Sequence, residues 1–289
     1  MNHADTLHTD PLHTGTIRTD TIAFIGGGNM ARSLVGGLVA RGVPATDIRV
    51  AEPVASLREA LRADFGVQVF EQAAEAAAGA ATWVLAVKPQ VLREVCAGLT
   101  SLAQAQRPLV VSIAAGITAT QLERWLGGDL AIVRTMPNTP ALLGAGVTGL
   151  WANARVDEAG RARTDALLSA AGKTVWLDDE ARMDAVTALS GSGPAYVFLM
   201  AEAMQAAGEA EGLPPEAART LALQTILGAA RMLTESDEPP AELRRRVTSP
   251  GGTTQAAIES FEAGGFHELV ARAIHAATER GRQLSAAND

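Results

Sequence analysis

The run Thr21-Ile22-Ala23-Phe24-Ile25 is β-branched and aromatic, and Gly26-Gly27-Gly28-Asn29-Met30-Ala31 follows it at once. Behind the glycines, apolar residues recur at helical spacing in Leu34, Leu38 and Val39. Strand, tight glycine turn and helix in this order match the dinucleotide-binding fingerprint. Ala31 takes the place of the third glycine, where the motif asks only for close helix-to-strand packing. Alone, the pattern is generic. Its weight comes from the continuation, because strand-like and helix-like segments alternate as far as Leu177, the signature of a parallel sheet covered on both faces.

Residues 47–51, 67–70, 82–87, 109–113 and 130–134 read as strands two to six. Helical patterns at 54–62, 73–78, 91–102 and 122–126 separate them, and 147–151 and 174–177 read as added edge strands around a helix near 156–170. Ligands of such a sheet bind beyond the carboxyl ends of its strands, so residues 26–30, 87–89, 114–116 and 136–139 are expected to converge on one crevice. From about residue 180 strand signals vanish. Helical periodicity takes over at 183–189, meets a break at Ser190-Gly191-Ser192-Gly193-Pro194, and resumes at 195–211, 215–234, 241–247, 254–262 and 266–284. These helices carry Ala and Gly with Leu, Met and Val on more than one side, which suits either a monomer core or an intertwined dimer.

Length and charge narrow the function. With 289 residues, 47% of them hydrophobic, the chain has enough material for a sizeable core. A net charge of −8 argues against nucleic acid and against an acidic membrane surface, because either partner would select a basic face. No apolar run approaches the ~20 residues of a membrane span, and no charged-then-apolar signal pattern opens the chain, so a cytoplasmic location is expected. Cys96 is the single cysteine and lies in an apolar stretch, which makes it a structural thiol. Residues 1–19, rich in Thr, His and Asp, read as a disordered extension. Its three histidines, at five-residue intervals, share no helix face and have no completing ligand, so no metal site is expected.

Ser249-Pro250-Gly251-Gly252-Thr253-Thr254 stands directly before the apolar-periodic run Ala256, Ala257, Ile258 and Phe261. A proline that cannot continue a helix and two permissive glycines make this a loop feeding a helix N-terminus. Taken alone it is either an ordinary capped turn or a receptor for a carboxylate or phosphate, with the hydroxyls of Thr253 and Thr254 as added donors. Elsewhere the chain offers no Ser-His-Asp set, no paired metal ligands and no buried acid pair. Glu52, at the end of the second strand, either receives a ribose 2′-hydroxyl or is an exposed helix-capping residue, or else the flanking Arg49 and Arg58 meet a phosphate instead, which leaves NADH and NADPH equally open at this point. Lys88, one of two lysines, either orients a ligand at a strand tip or is a solvated loop residue. Hydride transfer suits a site so poor in acids and nucleophiles, because the nicotinamide carries the hard chemistry. An imine can bind already protonated, so a hydroxyl near its nitrogen and a carboxylate clamp suffice, and the loop supplies both.

Six stretches also carry a resemblance. They are Phe24-Ile25-Gly26-Gly27-Gly28-Asn29-Met30, Ala86-Val87-Lys88-Pro89, Val111-Ser112-Ile113-Ala114-Ala115-Gly116, Met136-Pro137-Asn138-Thr139-Pro140, Leu189-Ser190-Gly191-Ser192-Gly193-Pro194-Ala195-Tyr196 and Val247-Thr248-Ser249-Pro250-Gly251-Gly252-Thr253-Thr254, the last with Gly264-Gly265-Phe266 behind it. From about residue 21 the chain resembles the pyrroline-5-carboxylate reductases; the glycine turn is generic, whereas the last two stretches are specific to that family. The resemblance implies reduction of the cyclic imino acid 1-pyrroline-5-carboxylate to L-proline by NAD(P)H, the last step of proline biosynthesis. It implies an α/β fold, with a Rossmann-type doubly wound, mostly parallel sheet at 20–179 and an all-helical substrate and dimerisation domain at 180–289. Homodimers, often assembled as pentamers of dimers, are implied too. By carry-over, Ile25, Gly26, Gly27, Gly28, Asn29, Met30, Ala86, Val87, Lys88, Pro89, Ala114 and Ala115 hold the cofactor. Ser249, Gly252, Thr253 and Thr254 hold the substrate carboxylate, with the Thr254 hydroxyl toward the ring nitrogen as the catalytic group. NADPH is the cofactor implied, with NADH the alternative, because Glu52 and Ala73 stand where many members carry small polar residues.

Overall fold

The structure is a computed structural model and describes residues 21–287, so the expected N-terminal extension lies outside the described residues. One sheet holds β1 (Ile22–Ile25), β2 (Ile48–Ala51), β3 (Gln68–Phe70), β4 (Thr82–Leu85), β5 (Leu109–Ser112), β6 (Ala131–Met136), β7 (Gly146–Ala152) and β8 (Gly172–Trp176). Their spatial order is β3-β2-β1-β4-β5-β6-β7-β8. The first six are parallel in the doubly wound order, β7 runs antiparallel to β6, and β8 returns parallel to β7. Only β8 of the two added strands is an edge; β7 is paired on both sides.

The central strands β1, β4 and β5 bury both faces, which is why they read as continuous apolar runs rather than alternating ones, whereas the edge strands β3 and β8 are partly exposed. Phe24, Val50 and Val84 pack on one face with Leu34 and Leu38 of α1 (Asn29–Ala40) and with Leu167 of the helix at Glu158–Leu168. Between these two helices in the chain lie α2 (Ala55–Phe65), α3 (Ala73–Ala77), α4 (Pro89–Gln106) and α5 (Ala119–Trp125), so the Glu158–Leu168 helix is α6. Ile25, Leu85 and Val110 point to the opposite face, against Ala76 of α3, Leu92 and Leu99 of α4 and Leu122 of α5. Most boundaries shift by one to four residues from the sequence pattern, and two shifts lie at the site. Strand β4 stops at Leu85, two residues short of the expected end, and α4 begins at Pro89 instead of Val91, since proline at a first helical position loses no needed hydrogen bond.

Beyond β8 the chain is helical, in α7 (Met183–Val186), α8 (Gly193–Ala210), α9 (Pro215–Glu235), α10 (Pro240–Arg246), α11 (Thr253–Ala263) and α12 (Phe266–Ala287). The break expected at residues 190–194 is a wide helical turn instead. Thr187–Gly191 form a π-helical turn, Ser192 keeps helical angles, and its N–H donates to the Thr187 carbonyl at 2.8 Å. Pro194 falls in the first turn of α8, where its missing N–H would have had no partner, so proline and glycine here widen the helix without ending it. Among the described residues no helix is long and apolar enough to cross a membrane. Helices α8 and α11 bury no residue, and Leu189, Phe198 and Leu199 are 68%, 63% and 66% exposed. An apolar face of this kind on a water-facing helix marks a surface built for contact.

A buried charge cluster joins the sheet to these helices. Arg134, near the carboxyl end of β6, is 4% exposed; its guanidinium donates to Glu180 Oε1 at 3.3 Å and to Asp184 Oδ1 at 3.4 Å. Glu180 also accepts the Ala119 N–H at 2.7 Å, tying the start of α5 into the same cluster. Removing the cation would leave two carboxylates facing each other with little water. Arg134→Ala is therefore expected to lower the unfolding free energy by about 3 kcal/mol. Urea denaturation at fixed protein concentration checks this, and a loss under about 1 kcal/mol, the level of a surface pair, would show that water reaches the cluster freely.

Candidate active site

Strands β1, β4, β5 and β6 are neighbours, and Ile25, Leu85, Ser112 and Arg134 stand level in their ladders. The segments that follow them therefore leave the sheet at one edge. Ile25 itself faces the core, 1% exposed, and its carbonyl accepts the Ala86 N–H at 2.8 Å. Gly26 has φ +109°, and a Cβ there would lie 2.7 Å from the Ala86 carbonyl oxygen, so the turn can pass only as glycine. Gly28 is the opposite case. It is exposed, and a Cβ added to it would meet nothing within 4 Å.

Gly28 is also the N-cap of α1, and no side chain caps that helix. The α1 N-terminus thus begins beside open space, with Asn29 exposed and Met30 half-buried against the core. Tight packing at Gly26 with free space at Gly28 is the arrangement a pyrophosphate needs in order to approach backbone N–H groups at a helix start. The residues present fit a dinucleotide. Around the same edge, Ala86, Val87 and Pro89 are half-buried and Lys88 is exposed as the N-cap of α4. Ala114 is buried, donating its N–H to Ser112 Oγ at 3.3 Å, while Ala115 is exposed. Asn138 braces the far side, accepting the Val147 N–H at 3.0 Å and donating to the Ser190 carbonyl at 3.1 Å.

Glu52, following β2, is 7% exposed and so is not the exposed capping residue that was one reading of the sequence. Its Oε2 accepts the Gly27 N–H at 3.0 Å and its Oε1 accepts the Val54 N–H at 3.0 Å. Cys96 is buried in α4, and burial pushes its thiol up to about 12, which removes the thiolate from the neutral range. Among the described residues no group of three or more His, Cys, Asp and Glu side chains is placed to hold a metal.

The second candidate stretch lies on α11. Gly251 has φ +70°, the Gly252 N–H donates to the Ser249 carbonyl at 3.0 Å, and Gln255 Oε1 accepts the Gly251 N–H at 2.7 Å. Gly252 is the helix N-cap with no side-chain cap, and Thr253 and Thr254 occupy the first two helical positions. Ser249 and Thr253 are exposed, while Gly252 and Thr254 are half-buried. Helix α11 packs chiefly on α12, which in turn packs on α7 and the π turn, so one chain does not bring this loop broadly against the glycine edge. The two sets of residues are each assembled locally and are held on different parts of the molecule. Sequence reading missed the Arg134 cluster and the Asn138 brace that connect those parts.

Comparison with known proteins agrees with both halves. Residues 180–284 match the family described as pyrroline-5-carboxylate reductase dimerisation, and residues 21–116 match that described as NADP oxidoreductase, coenzyme F420-dependent. A pyrroline-5-carboxylate reductase of Pseudomonas aeruginosa is 56% identical over 266 residues, covering 91% of this chain and 96% of that protein. One from Haemophilus influenzae is 44% identical, covering 91% and 97%. The solved structure of a pyrroline-5-carboxylate reductase from Coxiella burnetii superposes with a TM-score of 0.89 at 43% identity, covering 92% of this chain and 99% of that one. The Plasmodium falciparum enzyme, solved with NADP bound, gives 0.80 at 29% identity, covering 92% and 98%.

The glycine edge makes a prediction of its own. Gly28→Ala adds a methyl group that touches nothing in the protein but occupies the space at the helix start. Its melting temperature should stay within a few degrees of the parent, while its dissociation constant for the dinucleotide rises by about tenfold or more. Calorimetric titration beside a melting curve checks the pair, and unchanged affinity would move the phosphate away from α1.

Proposed function

The chain belongs to the pyrroline-5-carboxylate reductase family, and we propose that its two separated sets of residues are the two sides of one reductase site, completed between subunits. The reaction is reduction of the C=N bond of 1-pyrroline-5-carboxylate to L-proline, the closing step of proline biosynthesis. When bound, NAD(P)H supplies the hydride to the imine carbon. Everything else is positioning by the protein. In this reading Gly26, Gly27, Gly28, Asn29 and Met30 cradle the pyrophosphate, and residues 86–89 with Ala114 and Ala115 border the rest of the dinucleotide. The backbone of Ile25 lies at the edge with its side chain in the core.

The observation that carries the reading is the uncapped N-terminus of α11, preceded by a glycine turn and opened by two threonines. A substrate carboxylate matches the free N–H groups and the positive end of the helix dipole there. Ser249, Gly252 and Thr253 provide the clamp in this proposal. The half-buried Thr254 hydroxyl takes the ring nitrogen, where it holds the N–H of the protonated imine and keeps the hydrogen bond as the nitrogen becomes an amine. No general acid is needed, because the proton is already on the nitrogen when the hydride adds. Orientation of the imine carbon toward the glycine edge supplies the remaining rate.

Exposed apolar side chains on α8 and α9, including Phe198, Leu199, Leu221 and Leu227, support a dimer in which these helices cover one another. In that arrangement the partner's α11 loop faces the glycine edge of the first subunit. The working division is then a dinucleotide-binding domain at 20–179 and a substrate and dimerisation domain at 180–289, with pentamers of dimers as the larger assembly and the cytoplasm as the location. Oxidation of NADPH or NADH in the presence of pyrroline-5-carboxylate tests the activity, and absence of turnover with both would refute it. Thr254→Ala is expected to lower kcat by about a hundredfold with cofactor affinity unchanged, and Thr254→Ser to retain most of the rate. A Thr254→Ala variant that loses cofactor affinity instead would place the loop on the wrong ligand.

A further inference from the structure

We infer that Glu52 selects the nicotinamide cofactor without a 2′-phosphate, so that this reductase works with NADH in preference to NADPH. The inference rests on the reductase reading for its kinetic arm alone; its binding arm stands by itself. Glu52 follows the last residue of β2 and its carboxylate is tied back 25 residues to the Gly27 N–H. In a sheet of this type the end of the second strand is where the adenosine ribose lies. A carboxylate there receives the ribose 2′-hydroxyl, since each of its oxygens retains an acceptor site after taking one backbone N–H.

A 2′-phosphate would bring roughly −2 charge to the same place. Glu52 cannot swing aside to admit it without leaving the Gly27 and Val54 N–H groups unpaired. The neighbouring side chains do not compensate. Arg58 Nη1 bridges the carbonyls of Glu52 and Pro53 at 2.7 Å each, and its Nη2 pairs with Glu71 at 3.3 Å. Arg49 is turned to the Ala78 carbonyl. Pro53, Val54 and Ala55 offer no hydroxyl or cation, Ser56 in the first turn of α2 offers a hydroxyl but no charge, and Ala73, at the start of α3, is half-buried against the apolar core. A bonded hydroxyl for one cofactor together with like-charge repulsion of the other gives discrimination of about tenfold or more.

Equilibrium titration of the intact protein with NAD+ and with NADP+ tests this without reference to turnover. NAD+ should bind about tenfold or more tightly, and the ratio of kcat/KM for NADH over NADPH with pyrroline-5-carboxylate should follow it. Glu52→Gln keeps an acceptor for the Gly27 N–H, gives up the one for the more exposed Val54 N–H and removes the charge, so NADP+ affinity should rise about tenfold while NAD+ affinity falls a few-fold. Glu52→Asp keeps the charge and should keep the preference, which covers the case in which the glutamine variant does not fold. Tighter binding of NADP+ by the parent protein, or a glutamine variant that changes both affinities equally, overturns the inference. NAD+ preference with no pyrroline turnover would leave it standing and remove the reductase reading instead.

Discussion

Four parallel strand ends brought level at one edge are the constraint on which the site depends. Ile25, Leu85, Ser112 and Arg134 share that level, and each strand is buried on both faces. A slip of one residue would exchange the two faces, sending Phe24 and Ile25 each into the other's core. Because neither face tolerates the exchange, the register is rigid. That rigidity lets Gly26 pass within van der Waals reach of the Ala86 carbonyl while Gly28, two residues on, is left beside free space. The α1 N-terminus inherits its position from the same ladder.

Among the described residues the buried charged side chains are Glu52, Arg134 and Asp184, and each is hydrogen-bonded. Glu52 takes two backbone N–H groups and Arg134 meets two carboxylates, one of which also takes the Ala119 N–H. Each of these groups joins segments distant in the chain. Glu52 holds the glycine turn to the end of β2, and Arg134 holds the last parallel strand to the first helical segment after the sheet. Asn138 does the same from the other side, joining the start of β7 to the π turn. Buried polar groups here fix the relative placement of elements whose apolar packing alone would allow several.

The helical half completes itself poorly as a single chain. Helices α8 and α9 pack on each other but leave large apolar side chains in water, and α11 leans on α12 without burying a residue. In the proposed reading the α11 loop, as carboxylate clamp, is therefore carried on a part of the chain that lacks a wall, and the glycine edge, as dinucleotide cradle, is left open. In that reading a second copy would supply both at once. Small residues along these helices permit the close approach that such an interlock requires.

Local chemistry was readable from the residue order. Gly26 announces a turn because no other residue fits the backbone there, and proline with two glycines before Thr253 announces a helix start, so the glycine turn and the start of α11 were legible in the residue order. Strand and helix alternation likewise predicted the doubly wound sheet to within a few residues. What the order of residues did not contain was which distant groups meet. Glu52 lies 25 residues from Gly27, and Arg134 lies 46 and 50 residues from Glu180 and Asp184. The π turn was misread as a break because Gly191, Gly193 and Pro194 signal both alike. Steric rules act on neighbours along the chain and can be read there; burial and pairing depend on how the whole sheet closes, and only the tertiary structure decided them.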